Sequence, residues 1–131
     1  MWLSVLEERQ RHALLGLAYN VMVSDGLLDP NEEGMLDDFK REMGLDLSLE
    51  VDYLELEGIE RTFDTRQSRV IAILNLLRLS YADGAFEIEE ECLLKEVSGV
   101  FDLSDDDFLL LDNWVRRLIA LEEEARNLME D

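Results

Sequence analysis

Two acidic turns of the same form recur 58 residues apart along this chain, and each follows a run of apolar residues. The first spans 23–33 and reads VSDGLLDPNEE, and the second spans 81–91 and reads YADGAFEIEEE. In each turn the Asp-Gly ends a long helical pattern, and the acidic residues after it favour the start of a shorter helix. The sequence therefore predicts two copies of one unit, at about 4–45 and 64–103, related by a pseudo-two-fold axis with both turns at one end.

The repeat extends beyond the turns themselves. At the same offset the following pairs coincide: Asp25 with Asp83, Gly26 with Gly84, Asp29 with Glu87, Glu32 with Glu90, Glu33 with Glu91, Leu36 with Leu94, Met43 with Phe101, and Leu45 with Leu103. The acidic and apolar positions of the two copies therefore follow one pattern.

The composition favours a single all-α domain. The chain has 131 residues, within the range of one domain, and 47% of them are hydrophobic, which is typical of a globular protein. It contains one proline, and strand-like alternation is scarce. We expect a bundle of about six to seven helices with the first and fourth in the core, since residues 70–81 are apolar nearly all round.

The helix boundaries follow from capping residues and glycines. We predict a first helix from Ser4 to Val23 with a Ser4/Glu7 capping box, a second helix from Asp29 to near Gly44, and a short third helix from Ser48 that is broken at Gly58. A fourth helix should begin at Asp64, with Gln67 at the capping-box position. A fifth helix should run from near Glu87 to before Asp102, and Ser104 should cap a sixth.

Several single residues have predicted roles. We expect Asn75 to be a hydrogen-bonded amide of the core, Cys92 to be an inert core thiol, and His12 to be a solvated residue. With one cysteine, no disulfide forms within the chain. Four arginines are expected to lie beside acidic helices of the same molecule: Arg61, Arg66, Arg69 and Arg78.

The charge of the chain restricts its partners. Thirty-two Asp and Glu oppose twelve Lys and Arg, a formal net charge of −20. Such a chain is repelled by phosphate backbones and by anionic membrane surfaces, which argues against nucleic acid or lipid as a partner. The N-terminus has no basic region, and the longest apolar runs fall short of the ~18–20 residues of a membrane span. We therefore expect a soluble cytoplasmic protein whose partner is a protein or a cation.

The acidic turns resemble the second half of an EF-hand calcium loop. The first half is missing, because positions 1 and 3 would be Val21 and Val23 in one copy and Leu79 and Tyr81 in the other. A seven-oxygen calcium site of that design is therefore excluded. A looser site for a hard divalent cation, calcium or magnesium, remains open. Its candidate ligands are Asp25, Asp29, Glu32 and Glu33 in the first copy and Asp83, Glu87, Glu90 and Glu91 in the second.

Two other interpretations of these carboxylates stay open. They can be helix caps and solvated first-turn residues with a purely structural role, since Asp29 and Glu32 have the spacing of a capping box. They can also form a surface that binds a basic protein partner.

The two turns also resemble a motif of the TerB-like family, the all-helical domains of tellurite-resistance proteins, a fold that occurs in some membrane-anchored DnaJ-like co-chaperones as well. Family members carry an Ala-Asp-Gly-x-apolar … Glu turn, often twice. The matching residues are 81–84 (YADG) with Phe86 and Glu90, and 24–26 (SDG) with Leu28 and Glu32, where Ser24 replaces the alanine. The resemblance implies a compact bundle of roughly seven helices, an accessory role in stress response, partners in a membrane complex or among resistance-associated proteins, and metal binding.

Catalytic chemistry has little support in the sequence. There is one histidine and one cysteine, with no glycine-rich phosphate loop and no serine or cysteine beside a candidate base. Paired carboxylates occur in glycosidases, but the aromatic-lined cleft that such enzymes need is missing here. We therefore expect a non-enzymatic interaction domain.

Overall fold

The computed structural model describes residues 1–24, 30–82 and 87–130. The described residues form six α-helices and one short 3-10 turn, Leu3–Val5, with no strand among them. The helices are α1 (Glu8–Val23), α2 (Pro30–Glu42), α3 (Ile59–Thr62), α4 (Arg66–Ser80), α5 (Ile88–Val100) and α6 (Asp105–Met129). The predicted all-α bundle of about six to seven helices is therefore confirmed.

The offset of 58 residues also holds for the backbone. At this offset the first residue of α1, Glu8, corresponds to the first residue of α4, Arg66. The helix α2 (Pro30–Glu42) corresponds to α5 (Ile88–Val100) at both of its ends. In each half the residue three positions after the N-cap accepts a hydrogen bond from the N-cap N–H, Gln10 from Glu7 at 2.9 Å and Ser68 from Thr65 at 3.3 Å. The two halves therefore begin their first helix in the same way.

The second helix of each half also ends in the same way. Gly44 and Asp102 both have a positive φ, 70° and 59°. Leu45 N–H then bonds the Lys40 carbonyl at 2.8 Å, and Leu103 N–H bonds the Ser98 carbonyl at 2.9 Å. This is the left-handed C-terminal cap in which orphan carbonyls of the last turn gain partners.

In each half, one arginine donates hydrogen bonds to backbone carbonyls that precede the first helix and to a carbonyl at the end of the second helix. Arg11 donates to the carbonyls of Leu6 (2.8 Å), Met43 (3.0 Å) and Ser4 (2.8 Å). Its counterpart at the offset of 58 is Arg69. A guanidinium suits this task because its N–H groups form a rigid fork that binds several oxygens at once.

Arg69 donates to the carbonyls of Phe63 (2.6 Å), Phe101 (3.0 Å) and Glu60 (2.8 Å). Since Met43 and Phe101 are themselves counterparts, both arginines bond the end of the second helix of their own half. Arg69 was expected to lie beside acidic helices and offset their charge; instead, three backbone carbonyls occupy its donors.

The other three arginines do lie beside acidic residues. Arg66 pairs with Asp107 at 3.3 Å and Arg78 with Glu122 at 2.5 Å, and both pairs join α4 to α6. Arg61 is 3.9 Å from its neighbour Glu60. Because the first turn of α6 meets the start of α4, and a later turn of α6 meets the end of α4, these two helices run in the same direction.

Both acidic turns follow helices that end at the same side of the bundle. Gln10, in the first turns of α1, donates to the Thr62 carbonyl at 3.1 Å, next to the start of α4. Since α1 and α4 begin side by side and have 16 and 15 residues, they also end at one side. Met35 of α2 lines an open cavity with Tyr81 and Ala82, which follow α4, so the flanks of the two turns are adjacent.

The pattern of contacts between helices is the same when the two halves are exchanged. The helices α1 and α4 pack on each other, α1 also packs on α5, and α4 also packs on α2. The buried core is formed mainly by these helices, and Asn75 at its centre donates to the carbonyls of Met1 and Ile71. The prediction of a hydrogen-bonded core amide at Asn75 is confirmed.

The segment between α2 and α3 differs from the prediction. No helix begins at Ser48, and Gly58 precedes α3 instead of breaking a helix. Asn20 of α1 binds this segment through both of its side-chain polar atoms, donating to the Leu54 carbonyl at 2.7 Å and accepting from the Leu54 N–H at 3.0 Å. Backbone groups that a helix would have paired internally are therefore bound by a side chain of the core.

Three further expectations need correction. The first helix begins at Glu8, because residues 3–5 form a separate 3-10 turn. Thr65 rather than Asp64 caps α4, with its hydroxyl accepting from Ser68 N–H at 3.1 Å. Cys92 is exposed, because the buried face of α5 passes through other positions, such as Leu94. His12 is exposed as expected.

None of the described helices is both long enough and apolar enough to cross a membrane.

Candidate functional site

We call the described carboxylates at the first turns of α2 and α5 the acidic pole. It comprises Glu32, Glu33, Glu87, Glu89, Glu90 and Glu91. Three further predicted site residues, Asp25, Asp29 and Asp83, lie outside the described residues.

Two glutamates of the acidic pole are buried. Glu32 has 2% of its surface exposed and Glu90 has 1%, and the two are counterparts in the repeat. Both occupy the third position of their helix, counted from Pro30 and from Ile88. A carboxylate there lies close to the unpaired N–H groups and the positive end of the helix dipole, which offset part of the cost of its burial. Each of them has an interaction partner in the protein.

The remaining carboxylates of the acidic pole are accessible. Glu33, Glu87 and Glu89 are exposed. Glu91 is half-buried, and its carboxylate lies 3.2 Å from the ammonium of Lys95 one turn further along α5. Exposed charges of one sign at one end of the bundle produce a local negative potential that attracts cations and basic groups.

The described part of the acidic pole does not by itself hold a metal site. Across residues 1–24, 30–82 and 87–130, no three His, Cys, Asp or Glu side chains are grouped closely enough to bind a metal ion. The structure brings Glu32 and Glu90 into equivalent buried positions, whereas Glu33 and Glu87 remain on the surface. A cation site in the predicted arrangement would therefore depend on the aspartates outside the described residues.

Tyr81, the first residue of the second turn, links the end of α4 to α6 beside the acidic pole. Its hydroxyl donates to Asp112 Oδ1 at 2.7 Å and accepts from Arg116 Nε at 2.8 Å. The Arg116 guanidinium also lies over the Tyr81 ring, 5.6 Å from its centroid. Burial, followed by the hydrogen bond to Asp112, raises the pKa of Tyr81 to about 12.

Sequence reasoning missed the role of Tyr81 as a link between the end of α4 and α6. Its counterpart in the first half is Val23, which has no hydroxyl, so the repeat carries no signal for this contact. The sequence did offer one partial signal: Asp112 and Arg116 are four residues apart and of opposite charge, which predicts that they pair on one face of α6. In the structure they are 3.1 Å apart, and the hydroxyl of Tyr81 binds both.

Comparisons of the chain with protein-family models, with curated proteins and with solved structures give no match.

Proposed function

We propose that the chain is a non-catalytic interaction domain whose acidic pole docks a basic segment of a partner protein. The observation that carries the proposal is that two equivalent acidic helix starts lie at the same side of one bundle. Their exposed members are Glu33 on α2 and Glu87 and Glu89 at the start of α5. The net charge of −20 adds long-range attraction for a basic partner.

The resemblance of the turns to the TerB-like motif agrees with this proposal. It suggests an accessory role in stress response, tellurite resistance included, carried out by binding rather than by catalysis. In this proposal the buried Glu32 and Glu90 fix the first turns of α2 and α5 in the bundle, so that the exposed carboxylates beside them face a partner from rigid helices.

A pair of matched variants tests whether the acidic pole itself is the docking site. The Glu33→Gln/Glu87→Gln protein removes two exposed charges at the acidic pole, and Glu87 makes no side-chain cap hydrogen bond that would be lost. The Asp105→Asn/Asp106→Asn protein removes two exposed charges from the first turn of α6, at the opposite end of the bundle. Both variants have the same net charge.

The probe is a fluorescent oligolysine peptide whose anisotropy is followed at low and at moderate salt. If the acidic pole is the site, the first variant weakens binding about 2- to 30-fold, since each exposed ion pair contributes about 0.2–1 kcal/mol. The second variant changes binding much less, and salt weakens binding throughout. Equal loss in both variants would show that only net charge matters and would refute docking at the acidic pole.

A second candidate function is weak binding of a divalent cation, calcium or magnesium, by the acidic turns. The observation in its favour is the pair of buried, equivalent glutamates, Glu32 and Glu90, each next to a turn rich in carboxylates. Hard cations take such oxygens as ligands, but the described residues alone do not complete a site.

Calorimetry and melting curves in Ca²⁺ or Mg²⁺ test this second function, with NaCl of equal ionic strength as the control. An ion at ten times its Kd stabilises the fold by about 1.4 kcal/mol. Heat of binding, a higher Tm and displacement of the oligolysine peptide would support a cation site. No heat and no shift of Tm at millimolar ion would rule it out while leaving the docking proposal intact.

A further inference from the structure

The helix α6 carries a second apolar stripe that the bundle covers only in part. Its bundle-facing side is marked by the buried Phe108 and Val115. A different set of residues, spaced alternately three and four apart, follows the flank of the helix: Leu111, Trp114, Leu118, Leu121, Ala125 and Leu128. Three-four spacing sustained over 18 residues is the pattern of a helix that pairs with another helix.

The leucines in the second half of this stripe are exposed. Leu121 has 61% of its surface exposed and Leu128 has 80%, and among the described residues the last ion pair of α6 with the bundle is that of Glu122 with Arg78. The first half is half-buried, with the ring of Trp2 packed 5.9 Å from that of Trp114. The last leucines of the stripe therefore face solvent while its first residues pack against the bundle.

We propose that α6 pairs in antiparallel orientation with α6 of a second copy of this chain. Antiparallel pairing about the middle of the stripe places Leu118 against Leu121 of the second copy. It also places Trp114, the largest side chain of the stripe, against Ala125, the smallest. A parallel pair would oppose Trp114 to itself and Ala125 to itself, which packs poorly because volumes in an interface must complement each other.

The charges beside the stripe complement each other in the same orientation. Arg117 and Glu124 precede Leu118 and Ala125 by one residue, at positions that face each other across an antiparallel pair. Neither forms an ion pair within the described residues. Pairing would set Arg117 of each copy against Glu124 of the other, twice because of the two-fold symmetry. The face is therefore self-complementary in size and in charge, which makes a second copy its best-matched occupant.

The proposal is tested first by the mass of the full-length protein in sedimentation equilibrium over a range of concentrations. A reversible dimer is expected, and Leu121→Glu should weaken it at least about 100-fold, because two charges would be buried without partners. The control is Leu109→Glu, a change at an equally exposed leucine of α6 that lies off the stripe. It should leave the dimer intact, whereas equal effects of the two changes would overturn the proposal.

Charge exchange tests the antiparallel register. Arg117→Glu and Glu124→Arg should each weaken self-association about tenfold, because each creates two like-charged contacts across the pair. A mixture of the two variants should associate again, since every contact then joins opposite charges. Both residues lie on the exposed side of α6, so each variant is expected to fold.

The two tryptophans of the chain, Trp2 and Trp114, both lie at this surface, so their fluorescence should shift on dilution of the wild-type protein and should not shift in Leu121→Glu. A wild-type chain that remains monomeric up to about millimolar concentration would refute the proposal. So would a dimer that is unaffected by the charge changes.

Discussion

Gly16, in the middle of α1, lies where the helix meets the segment between α2 and α3. A Cβ built on Gly16 would come within 2.8 Å of the Cβ of Leu54, a distance that real side chains do not tolerate. The obstacle is the root of the Leu54 side chain, so relief requires a shift of the Leu54 backbone. That backbone is held by Asn20, one turn further along α1.

The size of the effect follows from opposing contributions. Glycine to alanine within a helix stabilises by about 0.5–1 kcal/mol. Overpacking costs about 1–3 kcal/mol, and strain on the two hydrogen bonds from Asn20 to Leu54 adds up to about 1 kcal/mol each. For Gly16→Ala we therefore expect a net loss in the free energy of unfolding centred on about 2 kcal/mol, within a range of about 0–4.5 kcal/mol.

Gly34 in α2 is the matched control. Nothing lies within 4 Å of a Cβ built there, so Gly34→Ala should keep the whole helical gain of about 0.5–1 kcal/mol. Urea unfolding of the two variants beside the wild type, followed by circular dichroism, measures both values. If Gly16→Ala is as stable as Gly34→Ala, then Leu54 does not pack closely on Gly16, which would refute the predicted clash.

Three further predictions rest on contacts of the described residues. Arg11→Lys and Arg69→Lys should each lower the free energy of unfolding by about 2–4 kcal/mol, because one ammonium cannot reach all three carbonyls that the guanidinium binds. In the same urea assay, the control Arg61→Lys, at an exposed position, should change the free energy of unfolding by less than about 0.5 kcal/mol. In an ultraviolet absorbance titration one tyrosine should ionise near pH 12, and this ionisation step should be missing in Tyr81→Phe. Because the pKa of Tyr81 in the folded protein exceeds the unfolded value of about 10, the stability that Tyr81 contributes is present below pH 10 and is lost as the pH rises towards 12. Cys92 should react fully with Ellman's reagent without denaturant, whereas resistance would place it in the core after all.

Local signals in the sequence were sufficient for most helix boundaries. Ser104 caps α6 as predicted, with Asp107 N–H donating to its hydroxyl at 3.0 Å, and the fifth helix follows Glu87 as expected. Pro30 begins α2, and Asp-Gly follows both α1 and α4. These features involve residues within about four positions of each other, and their physical effect on the backbone does not depend on the rest of the fold.

Contacts between distant segments account for the errors. The segment around Leu54 has apolar residues at spacings that suit a short helix, but Asn20, 34 positions away, binds its backbone directly. Arg69 was assigned to acidic neighbours because nothing near it in the chain indicates the carbonyl of Phe101. The offset of 58 does align Arg69 with Arg11, so the repeat held a signal that the two arginines share a role.

The sequence by itself determined the helical class, the two-copy plan and the acidic character of both turns, because periodicity, caps and charge act locally. Only the tertiary structure decided that Glu32 and Glu90 are buried while Glu33 and Glu87 face solvent, that Asn20 packs beside Leu54, and that Leu121 and Leu128 of α6 are left exposed. Burial and adjacency depend on how whole helices pack, and packing is set by the shapes of residues far apart in the chain.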